Sequence, residues 1–262
     1  MSRPSRRPAP PASPATPSSI RRSLATRLRE AVRVWAVPAL LVVSVQTLVG
    51  QTYRIPSGSM EPTMLVGDWL VVNKLAYGAH LPFTTMSLPG YDEPSRGEIA
   101  VVVSPYQADE AAMGNDPTPT LVKRVWGTGG DTLLMRDGVL QVNGVAYPSP
   151  EATDAQTTAR DYSGPEFAWQ AQYAVHGSRF GEPPAAPSLD SWGPLRVPEG
   201  TLFLLGDHRH ASKDSRFWGF VPRANVRGRP AFVYYSYNAN DSDRAWPALT
   251  DIRWGRIGHV YR

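Results

Sequence analysis

Two hydrophobic regimes divide the chain. From Val34 to Tyr53, 20 residues pass without a charge (VWAVPALLVVSVQTLVGQTY), and after Arg54 apolar residues recur only in short runs between Gly, Pro, Asn and Asp. As a helix the first run would be about 30 Å long, the thickness of a bilayer core. It therefore predicts a single transmembrane helix over 34–53, weakened by Pro38, Ser44, Gln46 and Thr47. The shorter runs predict strands at Trp69 to Val72, Ile99 to Val103, Leu121 to Trp126, Thr201 to Leu205 and Ala231 to Tyr237. Met135 to Tyr147 reads as hairpins turning at Asp137-Gly138 and Asn143-Gly144. The stretch from about 148 to 200 carries eight prolines and reads as an irregular insertion.

Charge sharpens this division. The 262 residues carry a formal +4, yet residues 1–33 hold eight arginines against Glu30 and account for +7, leaving −3 for the rest. A basic excess confined to one tail does not describe a nucleic-acid-binding surface. Prolines fill six of the first 17 positions, so 1–33 is expected to be a disordered basic tail. Arginines on one flank of an apolar span place that flank in the cytoplasm. The remainder is then expected outside it, on the periplasmic side of the inner membrane. The expected domains are the tail (1–33), the membrane helix (34–53), a β core built from 54–131 and 199–262, and an inserted hairpin-containing subdomain over 132–198. The fold class is mainly β.

Composition narrows the chemistry. There is no cysteine, which excludes thiol catalysis, disulfides and Cys-ligated zinc. No GxSxG, HExxH, P-loop or GxGxxG pattern occurs. Asp207, His208 and His210 cluster in one loop, a weak ligand pattern, and no metal or other cofactor is expected. Two segments remain. In IPSGSMEPTM (55–64), Ser57 and Ser59 flank Gly58 between Pro56 and Pro62, where serine is turn chemistry or a nucleophile. In LVKRVWGTGGD (121–131), Lys123 sits among Leu and Val on a predicted strand, in a chain with only three lysines against 24 arginines. Burial can tune a lysine toward neutrality, which arginine resists; the bland alternative is a lysine snorkelling from a sheet edge.

Taken together, four segments resemble the bacterial type I signal peptidases, the membrane-anchored Ser/Lys leader peptidases. They are IPSGSMEPTM with GDWLVVNKLAYG, then RGEIAVV (96–102), KRVWGTGGD (123–131) and GDHRHASKDSRFWGFVP (206–222), in that order behind the apolar run. The resemblance implies Ser59 as nucleophile and Lys123 as general base. It implies that the Ser57 hydroxyl joins the Ser59 amide in the oxyanion hole and that Ser212 orients the base. Asp214 and Arg216 resemble a supporting ion pair, with Asp207 in the same network. His208 and His210-Ala211 depart from the family's Asn and Asp-Asn at those places, which concerns the surrounding hydrogen bonds.

The implied substrates are preproteins carrying signal peptides with small residues at −1 and −3, met at a membrane lipid surface. A lysine of pKa ~10.4 is neutral only about one part in a thousand near pH 7.4. Bringing Lys123 into range takes roughly 3–4 kcal/mol of differential interaction, which burial beside Leu121, Val125 and Met60 can supply. Two rivals stand beside this reading: a specialised processing peptidase of a conjugation or secretion system, and an anchored, non-catalytic envelope-binding domain.

Overall fold

A computed structural model of the protein describes residues 24–44, 50–79, 86–147, 161–177 and 179–261. Two compact units result, Met1–Val43 and Ser44–Arg262. Helix α1, Leu24–Ser44, with Pro38 inside it, lies in the first except for its last residue. Residues 24–33, expected to be disordered, are thus helical, as their Ala, Leu, Arg and Glu content favours; residues 1–23 lie outside the described ones. Among the described residues no helix is long and apolar enough to cross a membrane.

The expected helix also does not reach 53. Gly50–Arg54 is a strand, β1, antiparallel to β2 (Asp68–Asn73), with Tyr53 opposite Leu70. An uncharged run suits either element, and here the ladder with β2 satisfies the backbone polar groups in place of helical bonds.

The remaining strands are β3 (Ile99–Val103), β4 (Thr120–Thr128), β5 (Thr132–Arg136), β6 (Val139–Val142), β7 (Val145–Tyr147), β8 (Trp192–Arg196), β9 (Thr201–Leu205), β10 (Val221–Pro222) and β11 (Val226–Ser236). Seven strands form one sheet in the order β1-β2-β11-β3-β4-β9-β10, and four form a second in the order β7-β6-β5-β8. Every pairing is antiparallel. Both predicted hairpin turns have positive φ at both central residues, Asp137-Gly138 (48° and 77°) and Asn143-Gly144 (53° and 87°), the conformation for which Asn/Asp-Gly is selected.

Alternation decides which side chains are buried. Along β2, Asp68, Leu70 and Val72 point inward between half-exposed neighbours, whereas the Ile-Ala-Val-Val run of β3 is buried throughout. Leu70, Val72, Ile99 and Val101 join Met60 and Met64 in one apolar cluster, and Ala100, Val102, Val125 and Leu204 belong to another. Lys123 therefore emerges from a strand held between two packed layers of aliphatic side chains. Within the Pro-rich stretch, Pro165–Tyr173 forms a 3-10 helix and β8 is an edge strand, its pairing with β5 interrupted between Leu133 and Met135. Prolines are tolerated at such edges and bulges.

Candidate active site

Ser59 lies in a single 3-10 turn, Gly58–Met60, on the loop joining β1 to β2. Two backbone bonds, Ile55 N–H to Asp68 O (2.8 Å) and Gly67 N–H to Ile55 O (3.0 Å), close that loop on itself. The neighbouring Met60 and Met64 are buried and act as apolar anchors, leaving Ser59 half-exposed at the rim. Gly67 has φ +93°, and a Cβ there would lie 2.2 Å from the Tyr237 carbonyl, so only glycine fits the turn into β2.

Lys123, at the middle of β4, is opposite Ala100 of β3 and is only 3% exposed. Its Nζ donates to Ser59 Oγ at 2.6 Å. Burial drives its pKa down to about 8; Asp214 and Asp207 pull upward and Arg216 downward, each less than burial. A substantial neutral fraction at working pH makes the amine a proton acceptor, and the serine oxygen is within transfer distance.

The two carboxylates nearby are both neutralised by arginine. Arg124 donates through Nε to Asp207 Oδ1 (2.8 Å) and through Nη2 to Oδ2 (2.5 Å), while Thr63 Oγ1 donates to the same carboxylate at 2.6 Å. Asp214 and Arg216 are fully buried and paired at 2.8 Å. Burial alone would raise the Asp214 carboxyl, but the Arg216 guanidinium, the Gly206 N–H and the Lys123 charge together hold the group below its ordinary value. Asp214 also accepts the Gly206 N–H at 3.0 Å, and Arg216 Nη2 reaches the Arg209 and Ser212 carbonyls. This pair is thus the framework on which the 206–216 turn is wound.

Ser212 is buried on that turn, and its Oγ has no hydrogen-bond partner among the described residues. It packs against Gly206, where a Cβ would lie 2.2 Å from Ser212 Oγ and 2.5 Å from Ser59 O. The absence of a side chain at 206 lets the two serine-bearing segments meet. Ser57 caps the 3-10 turn from an extended conformation, exposed and without a side-chain capping bond. His208 donates its N–H to Ser59 O (3.2 Å), and His210 Nε2 meets the Asp190 carboxylate at 3.1 Å. Asp207, His208 and His210 therefore go to separate partners, and among the described residues no cluster could hold a metal ion.

Three participants escaped the reading of the sequence. Thr63 and Arg124 complete the Asp207 network, and Arg209 is buried, its guanidinium 5.5 Å over the Trp126 ring and its pKa lowered to about 10, chiefly by burial. Arg124 was visible beside Lys123, but its partner is 83 positions away. Nothing in the local pattern singles out Thr63 or Arg209.

A half-exposed serine hydroxyl bonded to a buried, partly neutral lysine on an antiparallel β framework defines a class, the serine hydrolases that use lysine where others use histidine. Comparison with known proteins narrows it. The family described as signal peptidase, peptidase S26, matches residues 28–235. Signal peptidase I of Haemophilus influenzae is 30% identical, covering 84% of this chain and 72% of that protein. Signal peptidase I of Aquifex aeolicus is 32% identical, covering 75% and 80% respectively. A solved signal peptidase I structure from Enterococcus faecalis is 28% identical over 53% of this chain and 97% of that one, with a TM-score of 0.34. The chain belongs to the signal peptidase family S26 and is a serine peptidase.

Proposed function

We propose that the chain is a type I signal peptidase that removes signal peptides from exported preproteins by acyl transfer, with Ser59 as nucleophile and Lys123 as general base. The observation that carries this is the 2.6 Å contact between Ser59 Oγ and the Nζ of a lysine whose burial brings its pKa to about 8. Neutral Lys123 takes the Ser59 proton as the serine oxygen bonds to the scissile carbonyl carbon. The Ser57 hydroxyl and the Ser59 N–H stabilise the oxyanion. As the C–N bond breaks, Lys123 returns the proton to the leaving amine. It then deprotonates a water that attacks the acyl-serine ester, releasing the cleaved signal peptide and restoring both residues. Asp214, Arg216, Asp207 and Ser212 hold the base and the nucleophile's turn in register.

The uncharged run from Val34, with eight arginines before it, supports membrane attachment with the N-terminus cytoplasmic and the β core on the opposite side. Substrate and enzyme then share one surface, which raises their effective concentration. The test is cleavage of a purified preprotein by Ser59→Ala and Lys123→Met variants. Both are expected to be inactive yet folded, and turnover by either refutes the dyad.

A further inference from the structure

Among the described residues, one side-chain-to-side-chain bond, His210 to Asp190, ties the turn that carries Ser212 to the segment leading into the second sheet, beside a bond from Arg216 Nη1 to the Leu189 carbonyl (3.5 Å). His210 Nε2 lies 3.1 and 3.2 Å from the two carboxylate oxygens of Asp190, and the two side chains are 20% and 22% exposed. Asp190 belongs to the short segment leading into β8 and is itself rigidly held. Its N–H donates to Asp161 Oδ1 (3.0 Å) and its carbonyl accepts the Gly138 N–H (3.0 Å), while Asp161 also takes the Ser188 hydroxyl at 2.6 Å. The carboxylate is therefore presented from a braced platform. On the opposite flank of the turn, Lys213 Nζ binds Asp109 and Glu110, the latter at 2.9 Å. Ser212 lies between these two ties, and its Oγ has no bond of its own among the described residues.

Displacement of this turn has a direct route to the nucleophile. The His208 backbone N–H is bonded to Ser59 O, and a Cβ on Gly206 would meet both Ser212 Oγ (2.2 Å) and Ser59 O (2.5 Å). We propose that Asp190 is a positioning residue for the reaction. Acting through His210, it fixes the Ser212 turn against Ser59 and Lys123, so the inserted sheet belongs to the support of the active site. The inference rests on the Ser59/Lys123 reading above.

The test uses the full chain in detergent with a signal-peptide substrate, comparing Asp190→Ala, Asp190→Asn, His210→Ala and the exchanged pair Asp190→His/His210→Asp. Each single alanine variant is expected to lower kcat about 10-fold with KM within about twofold, the signature of misplaced catalytic groups rather than lost substrate binding. The exchanged pair should regain most of the lost kcat, because it restores the charge-assisted contact with reversed polarity. Unchanged kcat in the single variants, or an exchanged pair as slow as they are, overturns the proposal. If the alanine variants melt early, Asp190→Asn at native Tm decides: reduced kcat supports the tie and unchanged kcat refutes it. Ser59→Ala, assayed in parallel, separates the two ideas, since turnover there sinks the dyad whatever Asp190 does.

Discussion

Raising pH through 8 should strip the proton from Lys123 while the ordinary lysine, at 10.5, stays charged. At pH 7 a group of pKa about 8 is neutral in about one molecule in ten, against roughly one in three thousand for the ordinary value. The gain in available base is about 300-fold, equivalent to about 3 kcal/mol. The sign follows from the direction of the shift. The folded-state pKa lies below the unfolded one, so the unfolded chain holds more protons between pH 8 and 10.5 and stability rises with pH across that window. Below pH 8 the penalty of burying the ammonium is fully present. Lys123→Met should consequently be more stable at pH 7 by about 2 kcal/mol, the relieved penalty less roughly 1 kcal/mol for the lost Ser59 bond. With only Lys74, Lys123 and Lys213 in the chain, 13C-lysine labelling gives three Cε resonances, and the Met variant assigns one of them. That resonance should titrate near 8, and kcat/KM should climb with unit slope to the same midpoint. Lys213 should titrate above the ordinary value, because its bonds to Asp109 and Glu110 outweigh its partial burial. If every lysine titrates above about 9.5, the neutral-base argument fails.

Other consequences follow from the same geometry. Gly206→Ala would place a methyl 2.2 Å from Ser212 Oγ and 2.5 Å from Ser59 O; kcat should fall about 100-fold, and wild-type turnover would disprove the close approach. Arg216→Met strands the fully buried Asp214 carboxylate and should cost about 3–5 kcal/mol in urea unfolding. Ser57→Ala should lower kcat by about 10- to 1000-fold if its hydroxyl stabilises the oxyanion, and single-turnover kinetics would detect an unaffected step.

Local rules reach different distances in this chain. The strands around Leu70, Val101, Val125 and Leu204 and the hairpins at Asp137-Gly138 and Asn143-Gly144 are legible because alternation and turn chemistry act over a few residues. Gly50–Arg54 was not, since an uncharged run cannot distinguish the end of a helix from a strand whose partner lies 15 or more residues on. Trp192–Arg196 was hidden for a related reason: Gly193 and Pro194 advertise a turn, and only the neighbouring β5 makes the segment an edge strand.

By itself the sequence determined a mainly β protein with a basic, apolar N-terminal region, and it singled out Ser59 and Lys123 as candidates in two distant motifs. Tertiary structure decided their meeting at 2.6 Å and the burial that moves the lysine toward neutrality. It also decided which groups pair around them: Arg124 with Asp207 and Thr63, Arg216 with Asp214, and His210 with Asp190. The reason is physical. Residue type sets what a group can do and local pattern sets which face it takes. The pKa and the reach of a catalytic group depend on desolvation and on charges brought in from remote positions, which only the packed sheets supply.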